Sequence, residues 1–161
     1  MSIEFKKVSD FHRGMIFDLL KDAYSFDSRY EQSCITNWLE TDDFFFDNLH
    51  IADKYAFITT LNDEVIGFAV WDPRNMPEHA EIGHNCIVTK HKGHGYGKLQ
   101  LQEAVNRITR NDVRKIIVTT NDDLIPAQRM YESVGFTVNQ KRKSENIEDF
   151  VCEHLDYVYY L

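Results

Sequence analysis

Three glycines alternate with other residues between a β-like segment and an amphipathic helix. Gly93, Gly95 and Gly97 follow an apolar run that ends near Val88, and the apolar residues after them recur at helical spacing. Glycine has no Cβ and tolerates positive φ, so successive backbone N–H groups can converge on one anion where the helix dipole is positive. The sequence therefore predicts a strand, a phosphate-binding turn and a helix, in that order.

Two common phosphate-binding motifs do not fit this loop. The dinucleotide-binding fingerprint needs a third glycine three residues after the second, and counting from Gly93 and Gly95 that position is Lys98. The P-loop needs Gly-Lys-Ser/Thr, but Gly97 and Lys98 are followed by Leu99. The loop therefore suits another class of phosphate-carrying ligand.

Two blocks of the chain resemble the acyl-CoA-binding motifs of the GNAT superfamily of N-acyltransferases. The first, Lys92-Gly93-His94-Gly95-Tyr96-Gly97, is similar to Arg/Gln-x-x-Gly-x-Gly/Ala. The second, residues 127–136, fits Ala-x-x-x-Tyr-x-x-x-Gly-Phe, with Tyr131 and Gly135 in place. The blocks stand in the family's order with one helix and one strand between them, which strengthens the resemblance.

The order of periodic segments also resembles the GNAT arrangement over nearly the whole chain, as one domain over residues 1–161. The resemblance implies an α/β (α+β) fold, with a mixed, mostly antiparallel sheet of about seven strands and about four helices. It also implies that the fourth and fifth strands splay apart to admit the pantetheine arm of the cofactor. A hairpin turn is expected at 62–64 and a left-handed helix C-cap at Gly135. The strand candidates are 3–7, 55–61, 65–71, 80–88, 115–120, 136–138 and 156–161, with a charged loop at 141–149.

The cofactor that the resemblance implies is acetyl-CoA. Pantetheine would pair with the backbone of the fourth strand, and the pyrophosphate would lie on the loop amides, where Lys98 adds charge. Lys92 stands where the family usually has Arg or Gln and keeps a donor. The implied cofactor-binding residues are Asn85, Cys86, Ile87, Val88, Lys92, Gly93, His94, Gly95, Tyr96, Gly97 and Lys98.

One departure from the family pattern concerns the pantetheine. Family members often have an asparagine three residues before the motif alanine, and that position is Leu124. Either Asn121 or the pair Asp122 and Asp123 substitutes for it, or this contact is missing.

Acetyl transfer to an amine needs a neutral amine, a polarised thioester carbonyl and a proton for the departing thiolate. A backbone N–H near Ile87 is the expected carbonyl partner. Tyr131 occupies the position of the family's usual general acid, and the alternative is a tyrosine that only packs its helix on the sheet. We therefore predict Tyr131 as a catalytic residue.

The base has two candidates on the fourth strand. Glu81 matches a glutamate that the family often uses through ordered water, and we predict it as the base. His84 competes because imidazole titrates near neutrality. The two residues have opposite parity, so without a bulge they face opposite sides of the sheet. That parity also argues against a metal site built from His79, Glu81 and His84, and we predict no metal.

The segment Asp42 to Asp47 carries three phenylalanines between aspartates. It is expected to be a loop that its phenylalanines pin to the core. The alternative is a wall of the acceptor pocket with acidic groups at its rim.

Composition limits the location and the partners. A net charge of −8 argues against a general nucleic-acid surface and mildly favours a cationic acceptor. Cys34, Cys86 and Cys152 are widely spaced, which suggests neither a disulfide framework nor structural zinc. Apolar runs are too short to span a membrane, and the N-terminus lacks a signal-peptide core. We expect a cytoplasmic protein, with a homodimer through the tyrosine-rich segment 157–161 as one option.

The leading functional prediction is an N-acetyltransferase that moves the acetyl group of acetyl-CoA directly to a primary amine of a small molecule or a protein. The alternative is a non-catalytic acyl-CoA-binding module that senses or regulates. The sequence does not identify the acceptor amine.

Overall fold

The computed structural model describes residues 2–143 and 153–161. Within them, seven strands form one mixed sheet in the order β1-β2-β3-β4-β5-β7-β6, and five α-helices flank it. The predicted sheet is confirmed. The strands are β1 (Ile3–Lys6), β2 (Ala56–Leu61), β3 (Glu64–Asp72), β4 (Ala80–Ile87), β5 (Lys115–Asn121), β6 (Thr137–Lys143) and β7 (Glu153–Tyr160). The helices are α1 (Met15–Ala23), α2 (Ser28–Asp47), α3 (Leu49–Tyr55), α4 (Tyr96–Thr109) and α5 (Ile125–Val134).

Helices cover the sheet on two faces, each with its own apolar cluster. On what we call the α1 face, α1, α2 and α3 pack against β2, β3 and β4. On the opposite α4 face, α4 and α5 pack against β2 to β5 and β7. Strands under both layers are buried on both sides, as β2 shows with six buried residues out of six. The central strands therefore lie between two layers of helices, and a site built on them lies between those layers.

A gap opens between β4 and β5. These strands are parallel and pair at Ala80–Ile116, Glu81–Ile117 and Ile82–Val118. After that point the described residues of the two strands make no further ladder pairs with each other, and β5 continues with β7 alone. The predicted splay of the fourth and fifth strands is confirmed.

A β-bulge in β4 changes which side chains share a face. Val70 pairs with His84 but Trp71 pairs with Ile82, so Gly83 is the extra residue. Ala80 and Ile82 join the α4-face cluster, so Glu81 between them points to the α1 face. His84 also lies on the α1 face, where its ring centroid is 6.4 Å from that of Phe68. The prediction that these two candidates face opposite sides assumed a strand without a bulge; with the bulge they share one face.

The segment Asp42 to Asp47 is not a loop, because it forms the last turns of α2. Asp42 is buried, and its carboxylate accepts hydrogen bonds from the N–H groups of Gly14 and Phe17 at 2.9 and 3.0 Å. Asp43 and Asp47 pair with Arg13. These acids secure the start of α1, which is a role that their clustering in sequence does not reveal.

Two further elements, α3 and β6, differ from the prediction. The helix α3 was missed, because its seven residues are too few to show a clear period. Strand β6 runs to Lys143, so residues 141–143 of the predicted charged loop belong to a strand. Residues 144–149 of that prediction lie outside the described residues, as does Cys152. The hairpin turn is confirmed by positive φ at Asn62 and Asp63, and Gly135 ends α5 with φ 118° as predicted.

Candidate active site

The glycine loop leads from β4 into α4 as predicted. Gly93 and Gly95 have φ of 81° and 84°, in the left-handed region that favours glycine, and Gly95 is the N-cap of α4. Gly97 does not use positive φ. It is needed for space instead, because a Cβ there would lie 3.1 Å from Met130 Sδ.

The start of α4 presents backbone donors to an anion. The N–H of Leu99 donates to Gly95 O at 3.2 Å. The N–H groups of Gly97 and Lys98 come before Leu99 in the first turn, where N–H groups have no acceptor within the helix. The helix is 14 residues long, and Lys98 is exposed beside its first turn. Backbone dipoles and side-chain charge at this end both favour a phosphate.

The Lys92 side chain lies on α1. Its ammonium donates to Ala23 O and stands 4.7 Å from the centroid of the Phe26 ring. Partial burial lowers the pKa of Lys92 from its ordinary value. In this structure Lys92 therefore joins the loop to the end of α1, together with Thr89, whose N–H donates to Asp22 at 2.7 Å.

The ladder between β3 and β4 determines which backbone groups of β4 face the gap. The N–H of Val88 donates to Ile66 O at 2.8 Å. Because hydrogen-bonded pairs alternate in an antiparallel ladder, Cys86 and His84 also pair with β3. The N–H and C=O groups of Asn85 and Ile87 therefore point into the gap, whereas those of Cys86 and Val88 do not.

Tyr131 lies on α5 and belongs to the α4-face cluster, which also contains Ile82 and Val118 at the last pair of β4 and β5. It is buried, with its ring centroid 5.7 Å from those of both Phe136 and Tyr157. Burial raises the pKa of Tyr131, and the neighbouring Cys86 raises it further. The phenol is therefore protonated at neutral pH.

Cys86 and Tyr24 lie close to Tyr131, as their mutual electrostatic effects show. Burial raises the pKa of the Cys86 thiol to about 12, so it is neutral and a poor nucleophile. Burial also raises the pKa of Tyr24, with further contributions from Cys86 and Tyr131. Tyr24 was not predicted from the sequence. The signal that could have indicated it is the aromatic series Tyr24, Phe26 and Tyr30, which runs from the end of α1 into α2.

The two candidate bases lie on the α1 face of β4. Glu81 is half-buried and lines a cavity of about 330 Å³ with His79, Thr119 and Asp156 among others. His84 is half-buried, and its Nδ1 is fully buried without a hydrogen-bond partner. Burial lowers the pKa of His84 to about 4, so the imidazole is neutral at physiological pH.

Asn121 has protein partners for its side-chain amide. Its Nδ2 donates to the Tyr30 hydroxyl at 3.1 Å, and its Oδ1 lies 3.0 Å from His154 Nδ1. Asp123 accepts from the same Tyr30 hydroxyl at 3.2 Å. Leu124 packs against the α1-face cluster. Asn121 and Asp123 are therefore joined through the Tyr30 hydroxyl, and the substitution of either for the missing asparagine stays a prediction.

The remaining histidines of the loop differ in their surroundings. His91 Nε2 lies 2.9 Å from Glu64, whereas His94 is exposed with its ring 6.1 Å from that of Tyr96. In the described part of the chain, no group of three or more His, Cys, Asp or Glu side chains could hold a metal ion. The described helices include none that is long and apolar enough to cross a membrane.

Comparison with known proteins gives a family and several structural neighbours. The model of the acetyltransferase (GNAT) family matches residues 15–136. No curated protein matches the chain. Among solved structures, yncA from Salmonella typhimurium, which contains its cofactor acetyl-CoA, superposes with a TM-score of 0.77 at 15% identity over 99% of this chain and 93% of that one.

Two further structures align over nearly their full lengths. A GNAT family acetyltransferase from Elizabethkingia anophelis with acetyl-CoA bound has a TM-score of 0.68 at 16% identity, covering 99% of this chain and 97% of its own. Ribosomal-protein-alanine N-acetyltransferase from Brucella melitensis has a TM-score of 0.76 at 14% identity, with 100% of both chains covered. At these identities the likeness shows a shared fold.

Proposed function

The chain belongs to the acetyltransferase (GNAT) family, and from this premise we propose that it moves the acetyl group of acetyl-CoA directly to a primary amine in a ternary complex. The observation that carries the proposal is the gap between β4 and β5. It begins after the pair Ile82–Val118, β4 leads from it through the glycine loop into α4, and Tyr131 lies in the same apolar cluster as Ile82 and Val118. A phosphate-bearing thioester suits both features.

The α4 N-terminus and β4 would hold the cofactor. The N–H groups of Gly97 and Lys98 would bind the pyrophosphate, and the gap-facing groups of Asn85 and Ile87 would pair with the amides of the pantetheine arm. A gap-facing N–H would also polarise the thioester carbonyl. Acetyl-CoA supplies the activated acetyl group, and these protein groups orient it.

The proposed acid and base lie on opposite faces of the sheet. Tyr131 is part of the α4-face cluster, and Glu81 points to the α1 face. This division suits a direct transfer, because the amine can approach from one face while the thiolate leaves toward the other. Tyr131 would donate its proton to the thiolate, and Glu81 would accept a proton from the amine, directly or through water.

His84 would support the same step as a hydrogen-bond acceptor. Its neutral ring on the Glu81 side of the sheet has a buried Nδ1 that can accept from a water molecule or the amine. The acceptor is proposed as a small-molecule or protein amine. A homodimer and a cytoplasmic location stay predictions.

The test is release of the CoA thiol from acetyl-CoA with a panel of small amines and of peptides with free N-termini. We expect Tyr131→Phe to lower kcat by about 10²- to 10⁴-fold, because proton transfer by a positioned group contributes that much. Its Kd for acetyl-CoA should stay within about twofold, since the phenyl ring is kept and the proton is donated only as the thiolate leaves in the transition state.

Tyr160→Phe is the matched control, because Tyr160 is 67% exposed at the end of β7 and should leave kcat unchanged. An unchanged kcat in Tyr131→Phe would assign the acid elsewhere. Tight acetyl-CoA binding without thiol release for any amine would favour the sensor module over the enzyme.

A further inference from the structure

A buried polar network joins α4 to the strand that borders the gap. Gln100 on α4 is fully buried. Its Nε2 lies within hydrogen-bond distance of Phe68 O at 3.0 Å, Asn85 Oδ1 at 3.0 Å and Cys86 O at 3.1 Å. Its Oε1 accepts from the Thr59 hydroxyl at 2.6 Å. The network therefore ties β2, β3 and β4 to one side chain of the phosphate-binding helix.

The sheet leaves room for this amide. A Cβ on Gly67 would lie 2.3 Å from Gln100 Oε1 and 2.8 Å from Cys86 O, so the strand beneath Gln100 accepts glycine alone without a shift. A buried amide costs free energy unless its N–H and C=O groups are hydrogen-bonded. An aliphatic side chain would fill the same space without needing hydrogen-bond partners. What Gln100 adds over an aliphatic residue is a fixed orientation for its polar partners.

The side-chain partner on the strand that borders the gap is Asn85. Its Oδ1 accepts from Gln100, which determines the direction of its Nδ2. Nδ2 carries two N–H groups; it lies 3.2 Å from Gly97 O and 3.4 Å from the thioether of Met130. A thioether is a weak acceptor, so one donor of this amide lacks a strong partner. Asn85 is half-buried, between the start of α4 and α5.

Leu124, at the position where family members often have an asparagine, is apolar. The Asn121 amide bonds the Tyr30 hydroxyl through Nδ2 and lies beside His154 through Oδ1. The pantetheine arm carries two amides whose carbonyls accept hydrogen bonds. Building on the proposed function, we infer that Asn85 donates a hydrogen bond to the pantetheine arm and that Gln100 is the positioning residue that orients it.

The test compares two ligands that share the phosphoadenosine end of the cofactor. Coenzyme A has the pantetheine arm, and adenosine 3′,5′-bisphosphate lacks it. The variant is the triple change Thr59→Val, Asn85→Leu and Gln100→Leu, which removes both partners of each network hydrogen bond between side chains. Such paired replacement is nearly neutral for stability, so the variant should melt within a few degrees of the wild type. Gln102→Leu, on the exposed side of α4, is the matched control.

We expect calorimetric titration to show coenzyme A binding weakened by about three- to tenfold in the triple variant, the loss of one hydrogen bond to a neutral partner. Affinity for adenosine 3′,5′-bisphosphate should stay within about twofold in the same variant, and Gln102→Leu should change neither ligand. Equal weakening of both ligands would overturn the inference, because the network would then act only on the helix terminus. Unchanged coenzyme A affinity would also overturn it. A wild type that binds neither ligand would instead refute the proposed function.

Discussion

Gly95 offers a direct test of where the pyrophosphate binds. Its φ of 84° allows few residues besides glycine, but a Cβ there would meet nothing within 4 Å. Aspartate and asparagine both tolerate the left-handed region and are both good N-caps. Gly95→Asp and Gly95→Asn therefore share the same shape and backbone cost and differ by one negative charge.

The charge should weaken acetyl-CoA binding strongly. A carboxylate at the N-cap would lie about 5 Å from a phosphate held by the first turn of α4. Two unit charges at about 5 Å repel by about 1–3 kcal/mol for an effective dielectric constant between those of water and a protein surface. That free energy corresponds to roughly a 5- to 150-fold higher Kd for Gly95→Asp than for Gly95→Asn.

Calorimetric titration of both variants with acetyl-CoA measures the difference. High salt should shrink it, since about 1 M salt screens charges beyond roughly 3 Å. Thermal melting is the control for folding: Gly95→Asp should melt no lower than Gly95→Asn, because a carboxylate at a helix N-terminus is stabilising. Affinities of the two variants within about twofold of each other would refute phosphate binding at this helix.

Two further changes test features that the sequence did not predict correctly. Asp42→Ala should destabilise the fold by about 2–3 kcal/mol, because buried N–H groups at the start of α1 lose a charged acceptor; thermal melting checks this against Asp43→Ala, where loss of an exposed ion pair should cost below about 1 kcal/mol. For His84, burial depresses the folded-state pKa to about 4, so the unfolded chain binds the proton first and stability falls as the pH drops from about 6.5 toward 4. Urea unfolding at about pH 7 and pH 5 should show a loss some 1–2 kcal/mol larger in the wild type than in His84→Leu, with exposed His50→Gln behaving as the wild type; equal losses would contradict the buried neutral imidazole.

Most of the fold could be read from local pattern. The order of strands, the helix after the glycines and the C-cap at Gly135 follow from apolar periodicity and glycine placement, which act within a few residues. Helix α2 was predicted to end too early. Three successive phenylalanines obscure its period, and Asp42 is a buried acid whose partners lie 25 to 28 residues away.

The candidate site was likewise predicted where local motifs define it and not where tertiary packing does. Its glycine loop and Tyr131 belong to local motifs and were predicted, and their roles at the site stay predictions. Asn85 was predicted for its backbone, but Tyr24 and the bond between Asn85 and Gln100 were not, because these contacts form only through tertiary packing. A glutamine among the apolar positions of α4 is a weak signal by itself, and its meaning appears only beside Gly67 in a neighbouring strand.

The bulge at Gly83 connects these observations. In a regular strand Glu81 and Asn85 would share one face and His84 the other, so no single face could hold both candidate bases. The extra residue reverses the alternation, so that Glu81 and His84 lie on the α1 face while Asn85 turns to the α4 face and meets Gln100. A Cβ at Gly83 would make only an ordinary contact, 3.5 Å from Val70, so side-chain volume is not what creates the bulge. The shifted register therefore matches the proposed function, in which the amine approaches one face of β4 and the cofactor contacts lie on the other.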